Sequence, residues 1–84
     1  MAEVDVADRV KKVVVQVLKV DEGKVVPDAH FVRDLGAESI QSIELVAAFE
    51  DEFDIEMDPD EATAVQTVGA AVEFIANVIK EQHG

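Results

Sequence analysis

Apolar residues recur at the spacing of an α-helix in three separate stretches of this 84-residue chain. The first stretch follows positions i, i+4, i+7, i+8, i+11 and i+12 with Val6, Val10, Val13, Val14, Val17 and Leu18. A run of β-branched valines inside it favours a strand locally, but neighbouring basic residues interrupt the alternation that a strand needs. The spacing therefore predicts an amphipathic helix.

The second stretch starts at Ser39 and carries two apolar stripes. One consists of Leu45, Phe49 and Phe53, and the other of Ile40, Ile43 and Ala47. Both stripes have helical spacing, so this helix makes two kinds of contact. We predict that the first stripe faces the core and that the second is a partly exposed interface with an acidic border. A single broad core face is the alternative.

Two further helices are predicted in the last third of the chain. Asp58 and Pro59 suit the cap and first position of a short helix, and Thr67 suits the cap of the next one. The final stripe is Val68, Val72, Ile75, Ala76 and Ile79. The sequence thus predicts an all-α four-helix bundle, with three long helices and one short helix, as a single domain over residues 1–84. Its predicted core contains Leu45, Phe49, Phe53, Val72 and Ile75.

The stretch 19–38 separates the first two helices and reads as a long loop, because it contains Gly23, Pro27 and Gly36 among scattered polar residues. Loops of this length are usually functional or disordered. Five apolar residues are available to anchor it: Val25, Val26, Phe31, Val32 and Leu35. We therefore expect an ordered loop that wraps onto the core.

The net charge of −12 is confined to one part of the chain. Residues 34–79 carry twelve acidic residues and no lysine or arginine, whereas residues 1–33 are neutral overall. Phosphate backbones and anionic membranes would be repelled, so a basic protein surface is the expected partner. The absence of cysteine and the presence of only two histidines argue against a metal site and a thiol nucleophile. With no signal peptide or apolar span in the sequence, we expect a cytoplasmic protein. The concentrated negative charge disfavours self-association, so we expect a monomer.

Ser39 is the hydroxyl residue with the greatest functional interest, because it lies where the long loop becomes a helix. Serine is a preferred helix cap, so a capping role is expected for it. A hydrolase is not expected, since no oriented base accompanies the serine. The acidic run from Asp54 to Asp60 does not make a calcium loop either, because Pro59 and Val65 occupy the glycine and glutamate positions.

The stretch from Phe31 through Asp34-Leu35-Gly36-Ala37-Glu38-Ser39-Ile40 to Glu44-Leu45, followed by Glu50-Asp51-Glu52-Phe53, resembles the acyl carrier proteins. The resemblance covers roughly residues 5–80 and includes the order of the helices. It implies a non-catalytic carrier whose Ser39 bears 4′-phosphopantetheine taken from coenzyme A. The thiol of that group would carry acyl intermediates of fatty acid, lipid or related biosynthesis as thioesters.

The resemblance also implies the partners: a phosphopantetheinyl transferase and the basic surfaces of acyl synthases, reductases and transferases. The implied docking residues are Glu38, Ile43, Glu44, Ala47, Glu50, Asp51 and Met57. The four phenylalanines are assigned to core packing, with storage of an acyl chain as the alternative.

Two residues depart from the family pattern, in which Asp precedes and Leu follows the serine: here they are Glu38 and Ile40. The departures favour a specialised carrier. The alternative function is an unmodified acidic docking module.

Overall fold

The computed structural model describes residues 6–83, except for the side chains of Pro59 and Thr63. Four α-helices are present in this range: α1 (Val6–Leu18), α2 (Ser39–Phe53), α3 (Pro59–Thr63) and α4 (Val68–His83). One turn of 3₁₀ helix, Glu22–Lys24, lies between α1 and α2. The predicted all-α fold with three long helices and one short helix is confirmed. The predicted domain over 1–84 extends at both ends beyond the described residues.

The core lies where α1 packs against α2 and α4. Val10, Val14 and Ile75 are fully buried at its centre. The predicted core stripe of α2 faces them, with Leu45, Phe49 and Phe53 all buried. Burial of these apolar side chains is the main source of stability in a domain of this size.

The second stripe of α2 points away from this core. Ile40 is 62% exposed and Ile43 is 66% exposed, and Ala47 is exposed as well. The alternative of a single broad core face is therefore wrong. An exposed pair of large apolar side chains on a small domain is typical of a surface that contacts another molecule.

Arg9 joins the start of α1 to the end of α2. Its Nε donates to Glu52 Oε2 at 2.8 Å, and its guanidinium carbon lies 4.6 Å from the centre of the Phe53 ring. Stacking of arginine on an aromatic face is favourable and also shields the ring from water. This contact sets the position of the C-terminal end of α2 relative to α1.

The loop between α1 and α2 is ordered, as predicted, but only some of its expected anchors are used. Val25, Phe31 and Leu35 are buried, whereas Val26 is 46% exposed and Val32 is 63% exposed. The expectation for these two valines was wrong. An irregular loop has no period that assigns side chains to faces, so apolar character alone did not identify the buried ones.

Backbone hydrogen bonds tie this loop to the residues that precede α4. His30 and Thr67 form an isolated antiparallel bridge, and the Phe31 N–H donates to the carbonyl oxygen of Gln66 at 2.9 Å. The Val68 N–H donates to the carbonyl oxygen of Ala29 at 3.0 Å. These bonds satisfy backbone groups at the start of α4 and bring residues 30–33 close to residues 65–68.

The buried face of α4 is rotated from the predicted one. Its buried residues are Val68, Ala71, Ile75 and Val78, while Val72, Ala76 and Ile79 are only half-buried. The helix is apolar over a wide arc, so two neighbouring stripes fit the same spacing. Packing against α1 selects one of them, and Val72 lies at the edge of the core.

Gly69 lies against the loop so closely that a larger residue would disturb it. A Cβ atom at this position would lie 3.1 Å from the carbonyl oxygen of Pro27, which already accepts a hydrogen bond from the Gly69 N–H. We expect Gly69→Ala to lower the free energy of unfolding by about 1–2 kcal/mol, because overpacking outweighs the better helix propensity of alanine.

Gly23→Ala is the matched control for this prediction. A Cβ atom at Gly23 meets nothing within 4 Å, so the change is expected to be neutral or to stabilise the protein by up to about 1 kcal/mol. Urea unfolding of the two variants measures both effects. Equal stability of the two variants would contradict the close approach of Gly69 to the loop.

Candidate functional site

Ser39 is the first residue of α2, but it does not cap the helix. Glu38 occupies the cap position, and its backbone N–H donates to Gln41 Oε1 at 2.9 Å. The Ser39 side chain is exposed, and its hydroxyl has no hydrogen bond to any described residue. The expected capping role was wrong, because α2 starts at Ser39 itself, one residue earlier than a serine cap requires. The hydroxyl is therefore available for other chemistry.

A cavity of about 580 Å³ begins beside Ser39 and extends into the core. Ser39 and Ile43 line it at the surface, whereas Leu45, Phe49 and Ile75 line it deep inside. The complete lining is His30, Phe31, Val32, Arg33, Ser39, Ser42, Ile43, Leu45, Val46, Phe49, Met57, Ala62, Val65, Gln66, Ala71, Phe74 and Ile75. Polar residues lie towards the surface and apolar residues occupy the interior, which is the usual construction of a site for an apolar ligand.

The phenylalanines have different positions relative to this cavity. Phe31, Phe49 and Phe74 line it, and the first two are also buried core residues. Phe53 is buried beneath Arg9, away from the cavity. Core packing and cavity lining are thus not exclusive, since the same rings serve both.

Met57 is placed in the interior rather than on the docking surface. It is buried, lines the cavity, and its backbone N–H donates to Glu50 Oε2 at 2.8 Å. The sequence-based assignment of Met57 as an outward contact is therefore corrected. The chain reverses after α2, and the hydrogen bond to Glu50 turns this residue inward.

The end of α4 holds the same reversing segment from the other side. Gln82 forms two hydrogen bonds with the backbone of Glu56, donating to its carbonyl oxygen at 2.8 Å and accepting from its N–H at 2.9 Å. His83 Nε2 lies 2.8 Å from the carbonyl oxygen of Asp54. The sequence analysis did not identify Gln82, since no local pattern relates it to a segment 26 residues earlier.

The remaining predicted docking residues share the outer surface of α2 and its start. Glu38, Ile43, Glu44, Ala47 and Asp51 are exposed, and Glu50 is half-buried. Together with Ile40, they form what we call the α2 strip: two large apolar side chains bordered by carboxylates. Ser39 lies at the N-terminal end of this strip, next to Glu38.

The sequence analysis missed three polar residues that line the cavity: His30, Arg33 and Gln66. They come from the long loop and from the segment before α4, which the bridge between His30 and Thr67 and the backbone hydrogen bonds beside it bring together. Of the two histidines, His83 contacts Asp54, and His30 has no hydrogen bond to Ser39. The site as described has no base positioned on the serine.

Residues 6–83 hold neither a metal-binding cluster nor a membrane-spanning helix. Within this range, no cluster of three His, Asp or Glu side chains is arranged to hold a metal ion. No helix in the same range is long and apolar enough to cross a bilayer.

The geometry at Ser39 suits a covalently attached group, since an exposed and unpaired hydroxyl lies beside a cavity that is apolar inside. A family model described as the phosphopantetheine attachment site matches residues 8–75, which is most of the chain. Proteins of this family bear covalent 4′-phosphopantetheine, receive it from a phosphopantetheinyl transferase, and typically serve biosynthetic enzymes as non-catalytic carriers. The chain therefore belongs to the phosphopantetheine carrier family, as its resemblance to the acyl carrier proteins indicates.

Proposed function

We propose that this protein is an acyl carrier protein whose 4′-phosphopantetheine is attached to the Ser39 hydroxyl. The observation that carries the proposal is the position of Ser39, exposed and without a hydrogen-bond partner at the edge of the cavity. The chain contains no cysteine, so the thiol for a thioester has to come from the prosthetic group. When bound, that group supplies a thiol at the end of a flexible arm.

The roles of the chain itself follow from this arrangement. Ser39 provides the oxygen that attacks the pyrophosphate of coenzyme A, and adenosine 3′,5′-bisphosphate leaves as the phosphodiester forms. The transferase has to provide the base that takes the serine proton, because no described side chain is hydrogen-bonded to this hydroxyl. The folded helices present the serine and its cargo to successive enzymes. Tethering raises the effective concentration of the cargo at each enzyme without catalysing any step.

The cavity supports an apolar acyl cargo of the kind used in fatty acid or lipid biosynthesis. Its volume of about 580 Å³ lies within the roughly 300–1,000 Å³ that is usual for small-molecule sites. The interior is lined by residues such as Val46, Phe49 and Ala71, which offer no polar side chain to a bound group. An aliphatic chain gains by leaving water for such a lining, in proportion to the area that it buries.

The α2 strip is the proposed docking surface for basic partners, including the transferase and acyl synthases, reductases and transferases. Its exposed carboxylates at Glu38, Glu44 and Asp51 carry charges that complement a basic surface. Its apolar residues Ile40 and Ile43 supply the area that is removed from water on contact. Charge of this kind accelerates encounter more than it lengthens the lifetime of a complex, which suits a carrier that has to leave each enzyme.

The test is intact-mass analysis after incubation with coenzyme A, magnesium and a broad-specificity phosphopantetheinyl transferase. We expect one phosphopantetheine on the wild-type chain, none on Ser39→Ala, and one on Ser42→Ala. Ser42 is the matched control, because it is a serine of the same helix that also lines the cavity but is half-buried. Modification that persists in Ser39→Ala would contradict the assignment.

A second candidate function is an unmodified acidic docking module, and one observation favours it. Glu38 and Ile40 replace the usual Asp and Leu on either side of the serine, and Ile40 is 62% exposed where a transferase would contact it. The variant Glu38→Asp/Ile40→Leu separates the two functions in the same assay. Modification of this variant alone, with none on the wild-type chain, would support the docking module.

A further inference from the structure

Arg33 is the one cation among the described residues that line the cavity beside Ser39. It lies in the turn that leads into α2, where the Ala37 N–H donates to the carbonyl oxygen of Phe31 at 2.8 Å. A second hydrogen bond joins the Gly36 N–H to the carbonyl oxygen of Val32 at 3.2 Å. These bonds close the turn of residues 31–37, which contains Arg33 and ends two residues before Ser39, and both residues line the same cavity.

The Arg33 guanidinium is exposed and forms no ion pair with any described residue. Its neighbour Asp34 is the nearest carboxylate in the sequence, but Asp34 Oδ2 accepts a hydrogen bond from the His30 N–H at 2.8 Å. The other arginine, Arg9, is paired with Glu52. Arg33 is therefore a cation that the fold leaves without a partner at the opening of the cavity.

The carboxylates around Ser39 make the cation at Arg33 important for any anion that is bound at Ser39. Residues 34–79 contain twelve carboxylates and no lysine or arginine, and Glu38 is adjacent to the serine. A phosphodiester formed on the Ser39 oxygen adds a further negative charge to this environment. The guanidinium of Arg33 offsets it, and its planar fork matches two oxygens of a phosphate group.

We infer that Arg33 binds the phosphodiester of the prosthetic arm; this inference rests on the proposed attachment at Ser39. The phosphorus has to lie one bond from the Ser39 oxygen, so its place at the opening of the cavity follows from the attachment itself. Binding by Arg33 holds the first part of the arm at this opening. The arm is thereby directed towards the apolar interior of the cavity. Arg33 does not hold the thiol end, so the thiol end can still leave the cavity together with the cargo.

The experiment compares the apo and holo proteins by NMR, without cargo, so that the prosthetic arm with its phosphodiester is the only group added. The chain contains two arginines, so two Nε–H resonances are expected, and Arg33→Gln assigns them by removing one. We expect the Arg33 resonance to shift on conversion to the holo form. The Arg9 resonance is the internal control and is expected to stay in place, because Arg9 remains paired with Glu52.

The ³¹P resonance of the holo protein provides the second readout. We expect it to shift in Arg33→Gln, to return part of the way in Arg33→Lys, and to stay unchanged in Lys24→Gln. Lys24 is the matched control, since it is an exposed base of the same loop that does not line the Ser39 cavity. Rising salt is expected to move the wild-type resonance towards that of Arg33→Gln, because the contact is exposed and is screened.

The outcomes separate this inference from the proposed function. A holo protein with identical ³¹P shifts in wild type and Arg33→Gln would overturn the inference and leave the attachment at Ser39 intact. Absence of any phosphopantetheine on Ser39, shown by mass, would overturn both. Apo spectra of Arg33→Gln that match the wild type away from residue 33 confirm that the fold is unchanged, as expected for an exposed and unpaired side chain.

Discussion

Ile75→Ala is expected to lower the free energy of unfolding by about 2–5 kcal/mol. Ile75 is fully buried at the centre of the core and also lines the cavity. Truncation removes its apolar contacts and enlarges a void that the surrounding helices fill only in part. A loss of this size is a large share of the roughly 5–15 kcal/mol that stabilises a typical domain. Urea unfolding of the apo protein measures it.

Ile43→Ala is the matched control, because the same chemical change is made on a helix but at the surface. Ile43 is 66% exposed, so its truncation is expected to change the free energy of unfolding by no more than about 0.5 kcal/mol. The difference in unfolding free energy between the two variants thus distinguishes a residue of the core from an exposed residue of the α2 strip. A similar loss of stability in both would show that the α2 strip is part of the core, contrary to the structure.

The second large effect is expected on docking rather than on stability. The double variant Glu44→Lys/Asp51→Lys reverses two exposed charges of the α2 strip that lie on one face, seven residues apart. We expect kcat/KM for modification by a basic phosphopantetheinyl transferase to fall about tenfold or more at low salt, because electrostatic steering is lost. The readout is the initial rate of phosphopantetheine addition at limiting carrier concentration.

Glu73→Lys/Glu81→Lys is the control for this variant. It makes the same change in net charge with two exposed residues of α4, outside the α2 strip. We expect a much smaller effect on kcat/KM, and we expect the difference between the two variants to shrink as salt screens the charges. Equal losses in the two variants would show that overall charge matters and that the strip has no special role.

The presence of the helices was predictable because their signals are local. The period of the valines in α1, the core stripe of α2 and the Asp58 cap of α3 all appear in the structure as expected. Asp58 Oδ1 accepts the Asp60 N–H at 2.9 Å, which a cap followed by proline predicts. Each of these features depends on residues within one or two helical turns of each other.

Two errors arose where a choice depended on distant residues. The buried face of α4 was misassigned at Val72 because packing against α1 selects between two apolar stripes. Met57 was misassigned because the reversing segment after α2 is held by Glu50 and by Gln82, which lies 25 positions further along the chain. A third error was local, since Ser39 was expected to cap α2 but its near neighbours Glu38 and Gln41 share that role.

By itself, the sequence determined the helical class, the acidic second half of the chain and the motif around Ser39, because composition, period and short motifs are properties of neighbouring residues. Only the tertiary structure decided that Ser39 has a free hydroxyl and that an unpaired Arg33 lines the same cavity. It also decided that a cavity of about 580 Å³ begins there. A cavity is the space left between helices, and its lining comes from residues as distant as His30 and Ile75. Their proximity is set by the packing of α1, α2 and α4 and by the bridge between His30 and Thr67.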